Sequence, residues 1–199
     1  MPSAADWDER YRTGDTPWDL TGPTPELLRL KEEGLLPAKG RALVPGGGLG
    51  HDAFLLAEHG LGTDLVDISP TALLRAQVTA FERKITNLAA YRRDFFSLLD
   101  TSYHQQSYDL IWEYTFYCAI EPGERAAYAR TVAGLLKPGG LLAALFFPLA
   151  SDKPGPPYPV SRAEIEELFG PFFRMDFSEP KRSVKPREGR EVLGLFTRK

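Results

Sequence analysis

The chain has little of what several function classes require. One cysteine, Cys118, among 199 residues excludes an internal disulfide and a zinc site built from several thiolates. Three histidines, His51, His59 and His104, lack metal-ligand spacing, so no metal is expected. Basic runs and RNA-type aromatic motifs are missing and the net charge is -3, which removes the electrostatic reason to bind nucleic acid. No apolar segment approaches the roughly 20 residues that span a bilayer. The opening MPSAADWDERY is acidic and polar where a signal peptide is basic and then apolar, so a cytoplasmic protein without a membrane partner is expected.

Apolar residues are not scarce. At 43% hydrophobic and 12% aromatic, the composition supports a sizeable core, and the length suits one domain over 1–199, expected as a monomer.

The stretch Leu43 to Asp52, LVPGGGLGHD, is the most informative. A short apolar run ends in Pro45 and three glycines, with a fourth at Gly50, which describes a strand, a tight turn and a helix. Glycine tolerates positive φ and has no Cβ, so Gly46, Gly48 and Gly50 let bare backbone approach a ligand. A second apolar strand, Leu61 to Ile68, delivers Asp67 about 20 residues later, the offset at which an acid meets a ribose hydroxyl. Read from Gly46 the pattern is GxGxG, as in S-adenosylmethionine sites; read from Gly48 it is GxGxxA, as in dinucleotide sites. Placement favours the first, because the second leaves two earlier glycines without a purpose.

Apolar runs at Ala42 to Val44, Thr63 to Ile68, Tyr108 to Tyr114 and Leu141 to Phe147 lack two-residue alternation and read as buried parallel strands. Helices fill the gaps. Ser69 and Pro70 open one, with Leu73, Leu74, Val78 and Phe81 as its apolar face. Pro122 opens another, carrying Tyr128, Val132, Leu135 and Leu136, and Lys137-Pro138-Gly139-Gly140 stops it before the next strand. The alternation predicts an α/β fold with a doubly wound, mostly parallel sheet, whose ligand site lies at the strands' carboxyl ends.

More candidates follow from strand ends. Asp94 and Phe95 follow an expected third strand and suit the amine and face of adenine, or else a turn cap and a core ring. Glu113, with Tyr114 and Tyr117 after it, emerges from the buried fourth strand, and a buried carboxylate needs a partner that a cofactor's cationic or hydroxyl groups can supply. Trp7, Tyr11 and Trp18 precede any strand; they read either as an aromatic cover able to face a sulfonium or as anchors of a terminal segment. Residues Pro148 to Pro159 form a rigid proline-rich loop, followed by a capping box of Ser161 with Glu164.

Together these residues resemble the thiopurine methyltransferase superfamily, and most closely its thiol and halide branch. WDERYRTGDTPWD is similar to that family's N-terminal lid, ALVPGGGLGHDAFLLA to its glycine motif, LVDISPTAL to its ribose motif, and WEYTFYCAIEPGERAAYA to the segment after its fourth strand. KPGPPYPVSRAEIEELF is similar to its later loop and helix. Two departures stand out: Gly47 occupies a place where the family commonly has cysteine, and Val44 one where many other methyltransferases have an acid. The resemblance implies a lid over 1–38, a core over 39–199, and S-adenosylmethionine as cofactor, leaving as S-adenosylhomocysteine. It implies a Rossmann-like sheet of seven strands, that Trp7, Tyr11 and Trp18 cover the cofactor, that Gly46 approaches its amino-acid end, that Asp67 binds both ribose hydroxyls, and that Gly48 and Ile68 belong to the same cofactor site. Asp94 and Phe95 would then hold adenine, Glu113 would lie near the methionine portion, and Tyr114 and Tyr117 would face the acceptor.

No catalytic base is evident, which suits the implied chemistry. A sulfonium donor leaves as a neutral thioether, so a halide, thiocyanate, hydrosulfide or small thiol needs only positioning and desolvation. A free thiol of pKa about 8.5 is already a few per cent thiolate at neutral pH. The alternatives are a thiopurine or metalloid S-methyltransferase, a non-catalytic nucleoside-binding regulator, and an NAD-linked oxidoreductase.

Overall fold

The computed structural model describes residues 3–150 and 154–199. Seven strands form one sheet in the order β3-β2-β1-β4-β5-β7-β6. The strands β1 (Arg41–Pro45), β2 (Gly62–Asp67), β3 (Leu88–Arg92), β4 (Tyr108–Tyr114) and β5 (Leu136–Phe146) pair in parallel. Two further strands, β6 (Phe173–Ser178) and β7 (Val192–Arg198), close the far side, with β7 antiparallel to both β5 and β6.

Helices cover both faces, which is why the central strands carry near-continuous apolar runs. Ala42 and Val44 of β1 join a core with Leu65, Leu110 and Trp112 under α2 (Pro25–Glu32), α3 (His51–Glu58) and α4 (Pro70–Glu82). Leu43, Val66 and Ile111 point the other way, into an aromatic-rich core under α5 (Arg125–Leu135) and α6 (Arg162–Phe169). The remaining helix, α1 (Ala4–Thr13), carries a capping box, with Ser3 Oγ accepting from Asp6 N and Asp6 Oδ2 accepting from Ser3 N at 2.7 Å.

Three local expectations are corrected. Of the apolar face expected on α4 only Leu73 is buried, together with Ala72, Ala76 and Ala80, while Leu74, Val78 and Phe81 are 62%, 50% and 84% exposed. The alanines let the helix lie close to the sheet, and the larger residues are turned to its outer side. The Lys137-Pro138-Gly139-Gly140 segment does not precede β5 but lies within it: Tyr108 pairs with Leu136 and Leu110 with Leu141, so the extra residues bulge out. At α6, Glu164 N donates to Ser161 Oγ at 3.1 Å, but the Glu164 carboxylate turns to Arg125 instead of closing the capping box.

The order of the sheet reverses direction at β1, whose neighbours are β2 and β4. The carboxyl ends of these three strands bring Gly46, Asp67 and Thr115 to one crevice, the place where doubly wound sheets hold ligands.

Candidate active site

The crevice opens into a cavity of about 640 Å³, within the range of small-molecule sites. One end is lined by Asp67, Ile68, Asp94 and Phe95, after β2 and β3; the other by Phe147, Pro157, Pro186 and Arg187, near the ends of β5 and β7. A narrower cleft continues from it between the glycine turn and the N-terminal segment, and Tyr11, Trp18, Gly46 and Thr115 border both spaces.

The glycine turn is built for close approach. Gly46, Gly48 and Gly50 all have positive φ, of 56°, 53° and 84°. A Cβ on Gly46 would run into the Phe116 ring, and one on Gly48 into the Tyr11 hydroxyl. The turn and the acid after β2 are joined: Gly48 N donates to Asp67 Oδ2 at 2.9 Å, and Ser69 N donates to Asp67 Oδ1 at 2.9 Å. One backbone donor of the turn is therefore committed to Asp67 and does not face a ligand. Burial raises the Asp67 pKa, against the pull of these hydrogen bonds.

The N-terminal segment is fastened to the same corner. Asp8 Oδ1 accepts from Ser69 Oγ at 2.7 Å and from Thr71 N at 2.9 Å, placing an acid at the start of α4, where the helix dipole favours it. Trp18 Nε1 donates to Tyr11 Oη at 3.1 Å, and Trp7 meets Trp18 edge-on at 5.3 Å. The Trp18 face is already occupied by a cation, because the Arg10 guanidinium stacks over it at 4.3 Å. Of the expected 1–38 segment, residues before α2 line the cavity and cleft, whereas α2 itself is a core helix with Leu27 and Leu30 fully buried.

Trp7, Tyr11, Trp18, Gly46, Asp67, Ile68, Asp94 and Phe95 thus line one cavity, and Gly48 lines the adjoining cleft. Asp94 and Phe95 serve both readings at once. Asp94 accepts from Phe96 N at 3.0 Å, capping a short 3-10 turn, and the Phe95 ring is buried against Phe116 and Tyr128, yet both residues reach the cavity wall.

Glu113, Tyr114 and Tyr117 do not line the large cavity. Glu113 finds its partners inside the protein: it accepts from Phe116 N at 3.0 Å, Tyr117 N at 2.7 Å and Tyr128 Oη at 2.8 Å. Burial raises its pKa to about 7. Tyr114 borders only the narrow cleft, and its hydroxyl donates to Glu191 Oε1 at 3.0 Å. Tyr117 turns into the aromatic core among Tyr128, Phe146 and Phe169, and its hydroxyl is buried without a partner. The cause lies at Thr115, whose φ of 63° turns the chain sharply after β4. Phe116 and Cys118 thereby reach the cavity while Tyr117 is directed away from it.

Several lining residues had no sequence signal. Asp52 buries its carboxylate while accepting from Thr24 N, Thr24 Oγ1 and Trp112 Nε1, which fixes the N-terminal segment to α3. Burial raises the Asp52 pKa. Arg10, Arg93, Arg187 and Arg190 bring four guanidinium groups to the cavity. Cys118 lines it too, but burial pushes its thiol up to about 12, so it is a poor nucleophile.

The thiopurine S-methyltransferase family model matches residues 3–198, nearly the whole chain. The chain belongs to this family. Its members are S-adenosylmethionine-dependent methyltransferases, and the cavity has the size and the strand-end acid that such a cofactor requires. Within the family the chain is 39% identical to a probable thiol methyltransferase 2 of Arabidopsis thaliana, over 98% of this chain and 85% of that protein. It is 37% identical to thiocyanate methyltransferase 1 of Brassica oleracea, over 96% of this chain and 83% of that protein. In fold it is similar to the Burkholderia thailandensis 1,6-didemethyltoxoflavin-N1-methyltransferase, with a TM-score of 0.73 at 20% identity, over 98% of this chain and 86% of that one.

Proposed function

We propose that this methyltransferase acts on soft nucleophiles: a halide, thiocyanate, hydrosulfide or small thiol. One observation carries the reading. The cavity lining has no histidine, the end near β5 and β7 is formed by Phe147, Pro156, Pro157 and Pro186 beside Arg187, and burial raises the pKa of its thiol, Cys118. An oxygen or nitrogen acceptor that must lose a proton would be poorly served there. The plant relatives' names, thiol and thiocyanate methyltransferase, agree with this choice.

Bound S-adenosylmethionine would supply a sulfonium methyl group whose leaving thioether departs neutral. The chain's part is then to bind, align and dry the site. Beyond the backbone N–H groups of Gly48, Ser69 and Ile68, the Asp67 carboxylate keeps acceptor capacity for a ribose hydroxyl. Phe95 and Ile68 give the base apolar contact, with Asp94 beside its amine. Gly46 and Thr115, between the two spaces, border the passage from methionine portion to acceptor, and Trp7, Tyr11 and Trp18 exclude water above it. The same reading describes a cytoplasmic monomer with a lid over its first residues, and with no role for nucleic acid or membrane.

Headspace gas chromatography of the purified protein with S-adenosylmethionine and iodide, thiocyanate or hydrosulfide tests this directly, because each methylated product is volatile. Turnover is expected in at least one vial. Silence in all three beside an active control enzyme would favour a thiopurine, a larger thiol or a non-catalytic binder.

A further inference from the structure

Arg187 is a buried charge whose guanidinium is not fully satisfied inside the protein. It ends a short 3-10 turn, Lys185–Arg187, just before β7, and only 7% of its surface is exposed. Its guanidinium lies 4.9 Å from the centre of the Tyr114 ring and 5.0 Å from that of Phe147. Nη2 donates to the Trp18 carbonyl at 3.3 Å, while Nη1 is buried with no hydrogen-bond partner. Arg187 takes part in no ion pair among the described residues. Glu191, whose carboxyl feels the Arg187 charge, is committed to Tyr114 Oη at 3.0 Å and Ser183 Oγ at 2.6 Å.

A buried charge left unpaired is costly, and most proteins avoid the arrangement. Here it borders the cavity, at the end served by β5 and β7. The acids of the cavity are placed elsewhere. Asp67 ends β2 and Asp94 follows β3, across the sheet, each already accepting backbone hydrogen bonds, and Glu124 is exposed just before α5. A second guanidinium, Arg190, lies over Phe147 at 5.2 Å and adds to the positive field. Acids and guanidinium groups therefore meet at the cofactor's expected nucleoside end, where Arg93 adjoins Asp94, whereas Arg187 and Arg190 together bring positive charge to the end near β5 and β7.

We propose that Arg187 is the specificity-determining residue for a negatively charged acceptor: its guanidinium, rather than a tyrosine hydroxyl, holds the anion, while Nη2 keeps the cover closed through the Trp18 carbonyl. This rests on the soft-nucleophile reading and adds that the acceptor binds as an anion. Aromatic faces on both sides restrict the guanidinium's movement, so the charge is positioned in advance of binding. A soft, weakly hydrated anion loses little on leaving water for this apolar wall.

The test needs no turnover. Thiocyanate is titrated into protein saturated with S-adenosylhomocysteine, which has no methyl group to transfer, and binding is read by calorimetry. Wild type is expected to bind thiocyanate, Arg187→Gln to bind it at least tenfold more weakly, and Arg187→Lys to recover part of the loss. S-adenosylhomocysteine affinity should stay within about twofold in the glutamine variant, since its amide can still donate toward Trp18; this also establishes that the variant is folded. Equal thiocyanate affinity in wild type and Arg187→Gln, or no thiocyanate binding by wild type, would overturn the assignment. Thiocyanate binding that depends on Arg187, accompanied by no methyl transfer to any soft acceptor, would instead sink the functional reading and leave the anion site standing.

Discussion

Asp67 and Gly48, 19 residues apart in sequence, are joined by a 2.9 Å hydrogen bond from the backbone N–H of the glycine turn to the carboxylate at the end of β2. The bond makes one unit of two elements that a pattern reading treats separately. Replacing Asp67 by Ala should weaken S-adenosylhomocysteine binding by about 1 to 3 kcal/mol, through lost ribose contacts and a loosened turn. Asp67→Asn, whose amide can accept from only one side, should fall between. A calorimetric dissociation constant unchanged in both variants would remove Asp67 from the site.

Gly46 gives a sharper steric test. Gly46→Ala places a methyl group against Phe116 at a φ of 56°, so cofactor binding should fall at least tenfold while the fold persists. Circular dichroism with calorimetry separates the two effects. Wild-type affinity would mean that the turn moves freely.

Tyr117→Phe tests the reassignment of the tyrosines. The change removes a buried hydroxyl that has no partner, so stability should hold or rise by about 1 kcal/mol, and turnover should stay within about twofold. A large loss of kcat with an unchanged melting temperature would restore Tyr117 to the acceptor site.

The contrast between these residues marks what the sequence could convey. Strand ends were legible because apolar runs stop at polar residues: β4 ends at Tyr114 as its pattern predicts, and Gly46, Asp67, Asp94 and Phe95 line one cavity. Which way a side chain turns after a strand was not legible. The left-handed backbone at Thr115 decides it, and threonine gives no warning of positive φ. Arg187 was invisible for another reason. In the charged run KPREGRE, Lys185 to Glu191, an arginine reads as solvated surface, and only the folded chain inserts it between Tyr114 and Phe147. The outer face of α4 misled in the opposite sense, since helical spacing of Leu74, Val78 and Phe81 does not say which side meets the sheet.

Glu113 predicts a pH dependence of stability. Its folded pKa is raised to about 7 from an ordinary 4.5, so the folded protein binds more protons than the unfolded chain between those values. The favourable contribution is complete below about pH 4.5 and is lost as pH rises through 7, by on the order of 3 kcal/mol. Glu113→Gln should flatten this segment of the urea-denaturation profile while keeping the hydrogen bonds to Phe116 and Tyr117. An identical slope in wild type and variant would show that Glu113 does not titrate there.

The central claim is transfer to a soft nucleophile without help from a protein base. Its most direct test is the ratio of kcat/KM for a small thiol of pKa about 8.5 to that for thiocyanate, followed from pH 6 to pH 10. Thiocyanate carries no proton to lose, so the ratio cancels titrations of the protein that affect both acceptors. The ratio should rise about tenfold per pH unit and level off only at the thiol's own pKa. A ratio that is flat, or that levels off at a lower pH belonging to a group on the protein, would contradict the account.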